Sequence, residues 1–268
     1  MHIILIILFL LICAAALYHG LTVRKYTIQS DLSNTLNIAV VSDLHNTRHK
    51  KLIDKIREIR PDLIALTGDI IDNDYPMKYV NAFLDEVSKL NIPVYYVTGN
   101  HEMGALETQQ FKDEIRERGI TVLEDRFLNV EINGISLTIA GIDDTYKLNI
   151  SKWQREVTDK FADIKNQDTY KILLAHRPDL WKIYEDFGVD LAISGHAHGG
   201  QVRIPFILNG LFSPNQGLFP KYAGGLYKHG KMNHVVSRGL SVFVKLPRVF
   251  NPPELVHIEI TSNHNTSQ

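Results

Sequence analysis

The sequence predicts an α/β protein built around a parallel sheet, and three observations carry that prediction. Short apolar runs alternate with amphipathic helical stretches between residues 36 and 118, the pattern that builds a parallel sheet with helices packed on it. Each apolar run ends abruptly in a polar cluster, where open α/β sheets place their ligands. The period then changes around Asn133-Gly134, a strong hairpin signal between alternating runs, so a second sheet follows in the same domain.

The elements can be justified in order. Leu36 to Val41 is a β-type run ending in Ser42-Asp43-Leu44-His45. From Arg48 to Arg60, Leu52, Ile53, Ile56 and Ile59 recur at helical spacing, and Pro61 stops the helix. Leu63 to Leu66 forms a buried strand ending in Thr67-Gly68-Asp69. Val80, Phe83, Leu84, Val87 and Leu90 share one face of a second helix. Val94 to Val97 is the third strand and ends in Thr98-Gly99-Asn100-His101-Glu102. A helix over roughly Leu106 to Arg118 follows, with Gly119 as its C-terminal cap. Phe127–Ile132 and Ile135–Ala140 form the hairpin, and Lys152 to Ile164 is helical. Lys171 to Ala175 ends in His176, and Val189 to Ile193 ends in Ser194-Gly195-His196-Ala197-His198-Gly199-Gly200. Gln201 to Pro205 reads as a further strand, residues 208–226 as a Gly-, Pro- and aromatic-rich loop, and His234–Ser237, Ser241–Val244 and Leu255–Ile260 as β.

Composition narrows the function. A net charge of −1 lacks the basic excess of a large duplex-binding surface, so nucleic acid is not an expected partner. The single cysteine, Cys13, lies in the N-terminal apolar run and permits no disulfide within the chain. That run, Ile3 to Leu17 extended to Val23, predicts a transmembrane anchor over residues 1–23, because about 20 apolar residues span a bilayer core. A cleaved signal peptide competes through Ala14-Ala15-Ala16, but no Lys or Arg precedes the run. Arg24 and Lys25 follow it, a small positive-inside bias that places the main domain in the cytoplasm. Residues 24–35 are then a linker and 36–262 the main domain.

The chemistry lies at the strand ends, which carry Asp43 and His45, Asp69, Asn100 and His101, His176, and His196 and His198. Singly, the aspartates could cap helices and the histidines could be ordinary surface or core residues. Capping, however, needs neither a His two residues after Asp nor a polar cluster at the end of every strand. Two carboxylates and several imidazoles without a thiolate make a mixed oxygen and nitrogen site suited to Mn, Fe or Zn. The donors exceed the needs of one ion. A shared carboxylate would let two divalent ions ~3.5–4 Å apart hold a bridging hydroxide over a phosphate ester.

The series Asp43-x-His45, Gly68-Asp69, Gly99-Asn100-His101-Glu102, His176 and Gly195-His196-x-His198 resembles the calcineurin-like metallophosphoesterases, with all blocks present in order. The N-terminal apolar segment and Ser237-Arg238-Gly239 with Pro252-Pro253-Glu254-Leu255 are similar to its membrane-associated bacterial branch, related to YaeI and YkuE. The resemblance implies a four-layer α/β/β/α sandwich. It implies that Asp43, His45 and His198 hold one metal, that Asn100, His176 and His196 hold the other, and that Asp69 bridges them. It also implies that His101 faces the phosphate, stabilising its charge or protonating the leaving group, while a metal-bridging hydroxide attacks phosphorus without a covalent enzyme intermediate.

The substrate expected from these residues is a phosphate ester or pyrophosphate. Gly68-Asp69-Ile70-Ile71-Asp72-Asn73-Asp74 lacks the arginine of the protein Ser/Thr phosphatase branch, which disfavours a phosphoprotein. The apolar segment and the loop bearing Phe206, Ile207, Leu211, Phe212, Leu218 and Phe219 direct attention to a membrane- or envelope-associated, lipid-linked substrate. UDP-diacylglucosamine is one that the resemblance offers. Arg203 and Arg238 are candidates for an extra phosphate contact, and Asp72 for orienting a ligand histidine. The contrasting class is a non-catalytic envelope-binding protein that retains the fold. A binder, however, has no need for His101 beside a full ligand set.

Overall fold

The structure is a computed structural model and describes residues 2–72, 76–242 and 247–262. In chain order its helices and strands begin with α1 (His2–Ala16), β1 (Thr22–Ser30), β2 (Leu36–Val41), α2 (Leu52–Ile59), β3 (Leu63–Thr67), α3 (Lys78–Ser88) and β4 (Val94–Val97). They continue with α4 (Asn100–Gly104), α5 (Thr108–Glu117), β5 (Thr121–Val122), β6 (Arg126–Ile132), β7 (Ile135–Ile142), α6 (Ile150–Lys160) and β8 (Tyr170–Ala175). The remainder are α7 (Trp181–Asp186), β9 (Leu191–Ser194), β10 (Phe212–Ser213), β11 (Gly217–Leu218), β12 (Gly225–His229), β13 (Met232–Val236) and β14 (Glu254–Ser262).

Two six-stranded sheets result, ordered β1-β14-β2-β3-β4-β5 and β12-β13-β9-β8-β7-β6. Within them β2, β3, β4 and β5 run parallel, as do β13, β9, β8 and β7. The β6–β7 hairpin turns through Asn133 at φ 51° and Gly134 at φ 72°. Strand side chains alternate between two environments. Ile38, Val40, Leu63, Ala65 and Val97 meet Leu137, Ile139, Ile172, Leu174 and Ile193 in one core between the sheets. The opposite faces pack Ile64, Leu66 and Tyr96 against Ile56, Val80, Leu84 and Ile115 of the helices. On the second sheet they pack Leu173 and Ala192 against Trp153, Val157 and Tyr184. The layers are thus helices, sheet, sheet, helices.

Parallel strands bring their carboxyl ends to one edge. At that edge β2 delivers Asp43 and His45, β3 Asp69, β4 Asn100 and His101, β8 His176, and β9 His196 and His198. Glycine makes the crossing of these loops feasible. A Cβ on Gly195 would lie 1.8 Å from Ser42 Oγ, and one on Gly99 would lie 2.4 Å from the Asp69 backbone nitrogen. Any side chain there would drive the loops apart.

Several expectations are corrected. No helix among the described residues is long and apolar enough to cross a membrane. The 15 residues of α1 rise only ~22 Å at 1.5 Å each, short of a ~30 Å hydrocarbon core. The single-pass anchor over residues 1–23 fails on that length, and the membrane localisation built on it falls too. Residues 24–35 are not a free linker, because β1 pairs along its length with β14, from Thr22–Glu254 to Ser30–Ser262. Gln201–Pro205 is no strand and makes only isolated bridges, Val202 with Val249 and Ile204 with Leu208. Ser241 and Val242 are also outside any strand, and Phe243 and Val244 lie outside the described residues, as do Asn73 and Asp74.

Candidate metal centre

Tight turns, not regular structure, aim the side chains of this edge. Asp43, His45, Asp69, His196 and His198 all have positive φ, between 46° and 67°. That left-handed conformation is costly for residues other than glycine and clusters at functional sites. Backbone and carboxylate contacts hold these turns in place. The Asp43 carboxylate accepts the His196 N–H at 2.9 Å and the Ser42 hydroxyl at 2.6 Å. Asp69 Oδ1 accepts the His101 N–H at 2.8 Å. This leaves Asp69 Oδ2 facing His176 Nε2 at 3.1 Å and His45 Nε2 at 3.6 Å.

Two donor clusters meet at that carboxylate. Asp43, His45, Asp69 and His198 place donor atoms within 4.8 Å of one another, and Asp69, His176 and His196 form a second such group. His176 Nδ1 lies 2.8 Å from the Thr67 carbonyl, so Nδ1–H donates there and Nε2 is the nitrogen whose proton a metal would replace. His196 Nδ1 lies 3.2 Å from His176 Nε2, and its own Nε2 lies 2.9 Å from Asn215 Oδ1. Buried His45 Nε2 and Asn100 Oδ1 make no hydrogen bond. Buried polar atoms without a hydrogen bond are costly, and coordination to a cation is one way to satisfy each of them. The donor set therefore fits divalent metal.

The electrostatics agree with that fit. Burial resists charge on His176, but the Asp69 carboxylate outweighs it and pushes the ring up to about 10. Burial and then the neighbouring His176 push His196 down to about 4. Burial, His45 and Arg248 hold His198 well below the usual histidine range. Burial raises Asp43, and the Asp69 charge adds to it. Without a cation, a proton on His176 thus does the work of compensating buried carboxylates.

His101 lies at the rim, its side chain one-third exposed. Asp72 stands between two rings, with Oδ2 3.3 Å from His45 Nδ1 and Oδ1 3.6 Å from His101 Nδ1. A cavity of about 500 Å³ opens over the site, lined by Asp69, Asn100, His101, His196 and His198. Its outer wall comes from Tyr146, Lys147, Leu148 and Ile150 on one side and Pro214 and Asn215 on the other. Neither arginine proposed for phosphate contact lines it. Arg238 is held by Glu254, and Arg203 donates to Asn209 at 2.7 Å. Arg177 lines the cavity instead, fixed by a bidentate pair with Asp144 at 2.8 and 2.9 Å. The polar end of β7, Asp143-Asp144-Thr145, was a legible signal for that wall, since it reaches the same sheet edge.

Sequence reasoning also left Glu102 without a role. Its buried carboxylate accepts four backbone N–H groups, from Asp69 at 2.9 Å, Ile70 at 2.7 Å, Ile71 at 3.2 Å and Gly99 at 2.9 Å. It thereby joins the turn that carries Asp69 to the turn that carries Asn100 and His101.

The calcineurin-like phosphoesterase family model matches residues 36–200. YkuE of Bacillus subtilis, named a metallophosphoesterase, is 31% identical over 92% of this chain and 87% of its own. YaeI of Escherichia coli, named a phosphodiesterase, is 28% identical over 86% of this chain and 84% of its own. Among solved structures, TT1561 of Thermus thermophilus aligns with a TM-score of 0.52 at 14% identity, covering 77% of this chain and 91% of that one; this likeness concerns the fold alone.

The Glu102 clasp makes a testable prediction. Glu102→Ala strands several buried donors, each costing about 1–3 kcal/mol. Urea unfolding of the metal-free protein is expected to show a loss of at least about 3 kcal/mol.

Proposed function

The chain belongs to the calcineurin-like phosphoesterase family and is a hydrolase of phosphoric esters; from that premise we propose how its residues divide the work. Asp43, His45 and His198 hold one divalent ion, Asn100, His176 and His196 hold a second, and Asp69 bridges them. One observation carries this reading: two donor clusters share Asp69, while buried His45 Nε2 and Asn100 Oδ1 make no hydrogen bond. The oxygen and nitrogen donors suit Mn, Fe or Zn.

Metal bound there lowers the pKa of water and draws charge from the phosphoryl oxygens. The chain's own residues supply the rest. Asp72 lies toward Nδ1 of His101, whose ring lines the cavity. From there Nε2 stabilises charge on the phosphoryl group or hands a proton to the leaving oxygen. Arg177, its plane fixed by Asp144, offers its remaining N–H edge to phosphate oxygens. The cavity walls exclude part of the bulk water, which strengthens both contacts.

The substrate reading follows from the outer wall. Leu148 and Ile150 line the cavity yet are 46% and 41% exposed. Pro214 and Asn215 lie on the β10–β11 hairpin, which also exposes Leu218, followed by Phe219, both at 66%. An ester with an apolar alcohol, a lipid-linked phosphate or pyrophosphate included, would cover this surface.

Three outcomes are expected. His101→Ala lowers kcat on bis(4-nitrophenyl) phosphate by about 10²–10⁴-fold, with bound metal, measured by elemental analysis, unchanged; full activity in the variant would remove His101 from the reaction, and a wild type that holds metal yet turns over no phosphate ester would favour a binding protein with the same fold. Because His176 is held up to about 10 in the metal-free site, it keeps its proton below that pH, and metal must displace it. Calorimetric Mn²⁺ affinity should therefore rise as pH increases through neutrality, roughly tenfold per pH unit for each proton displaced; a flat profile would contradict the ligand assignment. Across a series of alkyl 4-nitrophenyl phosphates, kcat/KM should climb with chain length, by up to about fourfold per buried methylene; no dependence would remove the apolar-substrate reading.

A further inference from the structure

We propose that Asn215 is a positioning residue for the second metal: its side-chain carbonyl fixes the tautomer of His196. The inference rests on the reading that His196 is a metal ligand. Its basis is a contact between segments far apart in sequence. Asn215 Oδ1 lies 2.9 Å from His196 Nε2, and both side chains line the same cavity. An amide oxygen can only accept a hydrogen bond, so His196 must carry its proton on Nε2. The lone pair then resides on Nδ1, the atom 3.2 Å from His176 Nε2 at the junction with the second cluster. If Nδ1 carried the proton, it would present N–H to the metal and could not ligate.

The hairpin is built to present that oxygen. Asn215 sits at φ 62°, a left-handed conformation that asparagine tolerates better than most residues. Next to it, Gln216 clasps the Tyr222 backbone twice, receiving its N–H at 2.9 Å and donating to its carbonyl at 3.0 Å. Leu211 N–H donates to Gly200 O at 2.8 Å, tying the start of the hairpin to the loop that follows His198. His176 uses the Thr67 carbonyl in the same way. Thus both imidazoles assigned to the second metal have an oxygen acceptor on the nitrogen away from it. For His176 that acceptor is backbone, beyond the reach of mutation; for His196 it is a side chain.

The test uses the full chain and Mn²⁺. Asn215→Leu removes the acceptor, while Asn215→Asp keeps an oxygen acceptor in its place. ¹⁵N NMR of histidine-labelled, metal-free protein, with His196 assigned by its loss in His196→Asn, should show Nε2–H in the wild type and in Asn215→Asp. In Asn215→Leu it should show a shift toward Nδ1–H. Calorimetry should show one of two Mn²⁺ affinities falling by about 10–100-fold in Asn215→Leu and recovering in Asn215→Asp, while the other stays within about twofold. Unchanged affinities and tautomer in Asn215→Leu would overturn the role of Asn215 and leave the metal reading standing. A wild type that binds no Mn²⁺ would overturn both. Equal loss in the Leu and Asp variants would show a packing role and overturn the proposal.

Discussion

Everything at the working edge depends on keeping several carboxylates dry and close together. Asp43, Asp69 and Glu102 are all essentially buried, and like charges that near one another resist ionisation. Burial and the Asp69 charge push Glu102 up to about 7. Its four backbone N–H donors act in the other direction, and they set the geometry of two turns at once. Asp69 is the opposite case. Burial disfavours its charge, but His176 overrides that and holds it well below the usual carboxylate range. The two acids therefore divide their roles by partner. Glu102 faces backbone and organises; Asp69 faces imidazoles and remains an anion available to cations.

Backbone strain follows from the same crowding. Five of the seven residues assigned as ligands or bridge have chosen their turns against their own preference, with φ above zero. The turns survive because neighbours over-determine them. Asp43 N–H donates to Gly68 O at 3.0 Å and His45 N–H to Asp69 O at 3.1 Å, so the β2 and β3 turns brace each other. The glycines between them admit that contact, since a Cβ on Gly68 would lie 2.5 Å from the Gly99 nitrogen. The site is a knot of interlocked loops, each unable to relax without displacing another.

This explains which parts were legible in the sequence. Each assigned donor directly follows an apolar run, so strand pattern and chemistry coincide, and the eight-residue loop from Ile193 to Gly200 could be read almost completely. The β6–β7 hairpin was legible through Asn133-Gly134. The segment Thr22–Ser30 was not. Only Tyr26 and Ile28 mark an inward face, and the partner that makes it a strand lies more than 200 residues away, at Glu254–Ser262. The apolar N-terminus misled for a different reason. Composition cannot show that helix α1 stops at Ala16 and that the chain enters a sheet six residues later. Asn215 and Gln216 carry no local signal, because their meaning depends on contacts with His196 and Tyr222. Arg177 was passed over because arginine beside a histidine is unremarkable until Asp144 is brought opposite.

The family match ends at residue 200, but the site does not. Leu240 and Ser241 donate their N–H groups to the Asp43 carbonyl at 3.2 and 2.7 Å, and a Cβ on Gly239 would lie 2.6 Å from Asp43 Cβ. Beneath that loop Arg248 is fully buried and donates to the carbonyls of Ser241 at 2.7 Å and Arg238 at 2.9 Å. Burial pushes it down to about 10, against the opposing pull of Asp43, so it is still a cation at neutral pH. A charge buried that deeply is tolerable only where partners surround it. Here they are loop carbonyls, with the Asp43 carboxylate beyond them. Asn251 adds a bond to the His198 carbonyl at 2.7 Å. The segment after residue 200 therefore completes the site. Leu240, Ser241 and Asn251 hold the loops of Asp43 and His198, while the Asn215 hairpin reaches His196 and lines the cavity. The candidate donors all come from the first 200 residues, and the bracing that Glu102 and the crossed turns give them is completed by contacts from Asn215, Leu240, Ser241 and Asn251.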